Sequence, residues 1–174
     1  AITNQTDGRV LSITNNHARI QAGTTLSLKV EQLSNIGDYS ISEENLETKV
    51  SQHTEAVLES GANMTIDAGS LHNKVSRIQS GGDITITGDQ LNNEEVTLTS
   101  DHTEYYYQYQ QTGIKRKCKR FGPFKHSCKR VPTYGYVRKS RTIAKISDHI
   151  TSTLSAKGNL NMSAAIINGG QQLS

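Results

Sequence analysis

Apolar and polar residues alternate along this chain over stretches of only three to five positions, the period-two signature of short β-strands, and no segment sustains the apolar stripe of a helix. The stretches also recur. Ile20-Gln-Ala-Gly-Thr-Thr-Leu26-Ser-Leu28 aligns with Leu58-Glu-Ser-Gly-Ala-Asn-Met64-Thr-Ile66 and with Ile78-Gln-Ser-Gly-Gly-Asp-Ile84-Thr-Ile86, and Leu154-Ser-Ala-Lys-Gly-Asn-Leu160-Asn-Met162 is a fourth copy with its glycine one place later. A second element follows each copy, at Leu33-Ser-Asn35, Leu71-His-Asn73, Leu91-Asn-Asn93 and Ile166-Ile-Asn168, with Ile13-Thr-Asn15 ahead of the first. The next aliphatic stands five residues after Asn15, Asn73 and Asn93, which sets a period of about 20 residues. The interval of 38 positions from Ile20 to Leu58 predicts one degenerate repeat, with Ile41 and Leu46 as its inward residues.

A unit this short cannot bury its apolar side alone, but it can when stacked on its neighbours. The expected fold is all-β: a right-handed parallel β-helix of about 20-residue coils spaced roughly 4.8 Å apart, with a β-hairpin or loop inserted outside it. Leu26, Met64, Ile84 and Leu160 would form one inward column, and Leu28, Ile66, Ile86 and Met162 another. Gly23, Gly61, Gly81 and Gly158 suit corners that need positive φ or a backbone without Cβ. Asn15, Asn35, Asn73, Asn93 and Asn168 would form an amide ladder that satisfies turn backbone groups. With an insertion of about 40 residues set aside, six to seven coils are expected. No atypical capping repeat is visible at either end, so a longer parent chain is expected.

Composition separates two parts. The hydrophobic share of 33% and the absence of Trp suit a thin rod with much surface. From Lys115 to Arg141 lie 11 of the 19 basic residues and no acidic one, leaving 8 bases against 16 acids elsewhere. Both Cys, both Pro, both Phe and six of the seven Tyr fall between Tyr105 and Arg141. The expected organisation is therefore β-helix over 1–104, a basic Tyr-rich insertion over 105–142, and β-helix again over 143–174.

The units Ser80-Gly81-Gly82-Asp83-Ile84-Thr85-Ile86, Leu91-Asn92-Asn93 and Ala156-Lys157-Gly158-Asn159-Leu160 resemble the filamentous haemagglutinin repeats of large bacterial exoproteins. The resemblance covers 9–104 and 144–170. It implies a parallel β-helical shaft, export by two-partner secretion through an outer-membrane transporter, and display at the surface of a Gram-negative cell by an adhesin or a contact-dependent growth inhibition effector. The insertion departs from the repeat, and no family role carries over to its residues.

Within the insertion, alternation places Tyr105, Tyr107 and Tyr109 on one strand face with Tyr106 opposite, and Tyr134 and Tyr136 on a returning strand. The simplest form is an antiparallel hairpin projecting from the shaft. An isolated hairpin is marginal in water, and Cys118 with Cys128, nine residues between them, would staple it in an exported protein. A metal site of Cys118, Cys128 and His126 is the alternative, but it lacks a fourth ligand and a Cys-x-x-Cys pair. Lys115, Arg116, Lys117, Lys119, Arg120, Lys125, Lys129 and Arg130 then form a dense positive tip, whose self-repulsion an anionic partner would relieve. With the interleaved Tyr it suits an anionic cell-surface glycan, lipopolysaccharide or an acidic protein receptor. Nucleic acid is disfavoured, because no recognised motif accompanies the tip and the body is acidic. A purely structural reading, with the insertion packed on the rod or on a neighbouring segment, is the alternative.

Enzymatic activity is not expected. The carboxylates are scattered, and Ser100-Asp101-His102 and Ser147-Asp148-His149, which flank the insertion, cannot each build a triad because adjacent strand residues face opposite ways. The six His lack metal-ligand spacing. No cofactor is implied, and no apolar run approaches the roughly 18 residues of a membrane span.

Overall fold

The computed structural model describes residues 2–6, 8–123, 125–168 and 171–173, with side chains described over 8–120, 122–123 and 127–166. Every regular element among these is a strand: β1 (Ile2–Thr6), β2 (Arg9–Asn16), β3 (Arg19–Ala22), β4 (Leu26–Ile36), β5 (Asp38–Glu44), β6 (Glu47–Thr54), β7 (Ala56–Ser60), β8 (Met64–Lys74), β9 (Ser76–Ser80), β10 (Ile84–Glu94), β11 (Val96–Phe121), β12 (Lys125–Ile150), β13 (Thr153–Ala156), β14 (Leu160–Asn168) and β15 (Gln171–Leu173). Contacts divide the chain into two compact units, 1–100 with 146–174, and 101–145.

The first unit is built on two sheets to which the chain returns in turn. One has the order β1-β2-β4-β8-β10-β14 and the other β15-β13-β9-β7-β3. Equivalent repeat positions pair in parallel. Leu26, Met64, Ile84 and Leu160 stand side by side, as do Leu28, Ile66, Ile86 and Met162, and across the second sheet Ile20, Leu58, Ile78 and Leu154. The alternation visible in the sequence turns these rows inward, and Leu33, Leu58, Ile66, Leu71, Ile78, Ile84, Ile86, Leu91 and Leu154 are buried in one core shared by both sheets. The arrangement is mixed rather than uniformly parallel, because β1 joins β2 antiparallel. Among the described residues five parallel rungs are found, where the sequence predicts six to seven coils: β2, β4, β8, β10 and β14 in the first sheet and β3, β7, β9, β13 and β15 in the second.

Beside the apolar rows runs a chain of buried amides. Asn15 Nδ2 donates to Asn35 Oδ1 at 2.7 Å, Asn35 Nδ2 to Asn73 Oδ1 at 2.8 Å and Asn73 Nδ2 to Asn93 Oδ1 at 2.6 Å, while Asn93 Nδ2 donates to the Ser152 carbonyl at 3.0 Å. Further bonds from Asn15 to the carbonyls of Ala18 and Val57 tie the amides to the corner backbone, so buried polar groups are matched rather than stranded. The Asn168 side chain lies outside the described residues. At the opposite corner close approach, not positive φ, explains Gly61 and Gly81: a Cβ on Gly81 would stand 2.1 Å from the Gly61 carbonyl oxygen, and one on Gly61 2.2 Å from that of Gly23, whereas Gly23 itself has neither a positive φ nor a neighbour within 4 Å of its Cβ position.

The long interval between Ile20 and Leu58 holds no degenerate coil. Leu26 pairs directly with Met64, and the extra residues form an antiparallel hairpin, β5–β6. Ile41 is 56% exposed and Leu46 92% exposed, so neither is a core residue. The cause is the turn: Asn45 (φ 53°) and Leu46 (φ 66°) both adopt the left-handed conformation of a two-residue hairpin loop, which throws the leucine into solvent.

Both long excursions leave the stack at the same corner. Two residues past the ladder asparagine, His17 (φ 50°) and Val75 (φ 49°) are left-handed and turn the chain straight into the next strand. At Gly37 and Glu95, in the equivalent place, the backbone is not left-handed, and the chain runs on into β5 and β11. Val75 is fully buried in a second small core with Val96 and Ile150, against which Tyr39, Val50 and Leu98 pack. The Ser-Asp-His triplets serve here as edge anchors. Ser100 Oγ accepts from the Thr48 N–H at 2.6 Å, Ser147 Oγ donates to the Thr48 carbonyl at 2.5 Å, and Asp148 Oδ2 accepts from the Val50 N–H at 2.9 Å. That backbone donor is the main reason the Asp148 carboxyl lies below its ordinary range.

Ion pairs lace the surface of the same unit. Glu94 accepts from Lys74 Nζ at 2.5 Å and meets His72 Nε2 at 2.9 Å. The lysine bond is the largest influence holding the Glu94 carboxyl below its ordinary value; partial burial opposes it and His72 adds to it. A depressed carboxyl contributes its stability in full above the unfolded pKa of 4.5 and loses it as pH falls through the lower folded value. Glu94→Gln should therefore remove a small acid-labile part of the stability, under about 1 kcal/mol for a pair this exposed. Urea melts of both proteins at pH 7 and pH 3 should converge at the lower pH, and a constant offset would contradict the assignment.

Candidate functional site

The second unit, 101–145, is a two-stranded ribbon made from β11 and β12. Its contacts nest about one point: Glu104 with Arg141, Tyr105 with Arg138, Tyr109 with Tyr134 and Tyr136, Thr112 with Thr133 and Cys118 with Cys128 all close on the Gly122-Pro123 turn, where Gly122 has φ 75°. The strands are therefore antiparallel. Aromatic and β-branched residues favour the extended chain, but a single two-stranded layer has no opposing face to bury them. Cross-strand pairing and the covalent staple hold it instead.

Cys118 and Cys128 form that disulfide. Both sulfurs are committed to each other in that bond. Among the described residues no three His, Cys, Asp or Glu side chains converge to hold a metal ion, and no helix is long and apolar enough to cross a membrane.

The tyrosines are out in solvent. Tyr109 lies between Tyr134 and Tyr136, with ring centroids 5.9 and 5.2 Å away, and the Arg138 guanidinium sits 3.7 Å over the Tyr105 ring. Tyr107 is exposed like the rest. Cross-strand aromatic pairs and a cation over a ring each contribute roughly 0.5–1 kcal/mol at exposed sites, enough to order the surface without closing it.

Lys115, Arg116, Lys117, Lys119, Arg120, Lys129 and Arg130 are all exposed; the Lys125 and His126 side chains lie outside the described residues. Arg120 reaches the Pro123 carbonyl at 3.5 Å. Lys117, Lys119 and Lys129 are brought together with Ser127 and Val131 around a cavity of about 320 Å3. Two contributors escaped the sequence reading. Glu104, just ahead of the tyrosines, takes Arg141 at 3.0 Å and Lys145 at 3.6 Å, and its carboxyl is held low chiefly by Arg141. Arg138 enters the sequence pattern only as charge, since its ring partner is 33 positions away and needs the strand register to be seen.

The first unit is a stack of repeats and the second a polar two-stranded ribbon. A family model described as the haemagglutinin repeat matches residues 1–52, 35–103 and 138–174. The chain belongs to the haemagglutinin repeat family, a β-helix family of filamentous adhesins and two-partner secretion exoproteins, structural and adhesive in character, secreted or surface-exposed in Gram-negative bacteria. Residues 104–137, most of the ribbon, fall outside all three matches. No curated protein and no solved structure matches the chain.

Proposed function

We propose that this chain is a segment of an exported filamentous adhesin or contact-dependent growth inhibition exoprotein, in which the repeat unit forms a right-handed β-helical shaft and the 105–142 insertion binds an anionic component of a target-cell surface. Right-handed coiling is the nearly universal hand of crossovers between parallel strands, and the parallel pairing of repeat positions requires such crossovers. Export would use the outer-membrane transporter of a two-partner system, in keeping with the family.

One observation carries the binding reading. From Lys115 to Arg141 the ribbon carries eleven bases and no acid, and the ion pairs seen among its described residues engage Glu104 with Arg141 and Lys145 alone. The remaining positive charge is concentrated, exposed and flanked by stacking rings, an arrangement that favours an extended polyanion.

Replacing Lys115, Arg116, Lys117, Lys119 and Arg120 together by Gln should lower binding to target cells or to immobilised lipopolysaccharide tenfold or more, taking roughly 0.2–1 kcal/mol per exposed charge. The melting temperature of the repeat unit should not move. Unchanged binding would overturn the proposal; a lower melting temperature with binding intact would favour a structural role for the insertion.

A further inference from the structure

Near the Gly122-Pro123 turn the basic residues of the ribbon segregate by type as well as by position. Along Lys115-Arg116-Lys117-Cys118-Lys119-Arg120 in β11 and Ser127-Cys128-Lys129-Arg130-Val131 in β12, successive side chains face opposite ways. The disulfide marks one face, and alternation puts Arg116, Arg120 and Arg130 on it. Lys117, Lys119, Ser127, Lys129 and Val131 line the cavity on the other.

The two cations are not equivalent. A guanidinium is a flat fork that suits planar carboxylates on an open surface, whereas an ammonium is a compact charge with three rotatable donors that can converge on a tetrahedral oxyanion. Three ammoniums around one concavity, with no acidic residue in its described lining, repel one another, and a dianion offsets that repulsion better than a monoanion does. A phosphomonoester carries about 1.5–2 negative charges at neutral pH, while a carboxylate or a sulfate ester carries about one. The Ser127 hydroxyl adds a neutral donor, and the lysine stems with Val131 provide aliphatic walls for whatever bears the phosphate.

We propose that the lysine face, and not the arginine face, is the ligand-binding face of the ribbon, and that its cavity takes a phosphomonoester. This rests on the reading of the ribbon as an anion-binding element. Two triple variants remove equal charge from the two faces: Lys117→Gln/Lys119→Gln/Lys129→Gln and Arg116→Gln/Arg120→Gln/Arg130→Gln. Disulfide formation in each is checked by mass spectrometry. Binding is measured on immobilised lipopolysaccharide at fixed ionic strength, with glucose 6-phosphate, glucose 6-sulfate and glucuronate as competitors, and separately on vesicles containing phosphatidic acid.

The lysine triple is expected to lose at least tenfold in affinity and the arginine triple less than threefold, with glucose 6-phosphate the strongest competitor. A lysine-dependent gain on phosphatidic acid vesicles, with weak competition by glucose 6-phosphate, would support the same chemistry borne on a lipid. Equal loss from both triples would overturn the assignment to one face while leaving an anion-binding ribbon. Equal competition by glucose 6-sulfate would overturn the phosphate. No loss from either triple would overturn the reading of the ribbon itself.

Discussion

Asn73→Ala is expected to lower the stability of the repeat unit by about 4 kcal/mol. Asn73 sits in the middle of the ladder and is fully buried. Its Oδ1 accepts from Asn35 Nδ2 and, at 2.6 Å, from Ser76 Oγ, while its Nδ2 donates to Asn93 Oδ1. Truncation takes away the shortest partner of Asn35 Nδ2, which keeps only the longer bonds to the Ala56 and Arg77 carbonyls, and a partner each of the Ser76 hydroxyl and Asn93 Oδ1; a buried group left unsatisfied costs about 1–3 kcal/mol. Asn15, which accepts no side-chain bond from the ladder and only donates, should be less sensitive, because its loss strands acceptors alone. Urea denaturation of the whole chain measures both. A change below about 1 kcal/mol at Asn73 would mean that water replaces the amide, and that the ladder contributes register rather than stability.

Gly88→Ala should be nearly as damaging, at about 3–4 kcal/mol, for an unrelated reason. Gly88 has φ 151°, a backbone conformation that side chains rarely adopt, and a Cβ there would fall 1.6 Å from the Ala68 carbonyl oxygen on the neighbouring rung. The parallel pairing of Gly88 with Ala68 would have to open to admit it. Gly23→Ala is the matched control, since a Cβ at Gly23 meets nothing within 4 Å. A thermal melt in which the two alanine variants behave alike would refute the close-approach account.

The repeat was legible because its physics is local. Period-two alternation and the recurring Gly and Asn positions suffice to align Ile20, Leu58, Ile78 and Leu154, whatever lies between them. Ile41 and Leu46 misled for the same reason: apolar residues at plausible spacing look like core, and only the paired positive φ angles at Asn45 and Leu46 reveal a hairpin that exposes them. Nor does any propensity announce Val75 as left-handed, since a β-branched residue is the poorest candidate for that conformation; tertiary burial holds it there. In the ribbon the charge block, the tyrosines and the cysteine pair were plain from composition. Which tyrosine meets which, and that Arg138 covers Tyr105, depend on a cross-strand register that composition does not encode.

The corner two residues beyond the ladder asparagine bears on how such proteins diversify. Ile20 and Leu58 are 38 positions apart and Ile78 and Leu154 are 76 apart, yet both pairs sit in the same register as Leu58 and Ile78, only 20 apart. Core and ladder are thus blind to what is spliced in at that point, and the entropy of closing a longer excursion rises by only about 0.6 kcal/mol per doubling of its length. Insertions and recombination there escape the purge that meets a frame-shifting change anywhere else in the repeat. Natural selection can therefore exchange the inserted segment freely, while the repeat scaffold that carries it is inherited almost unchanged.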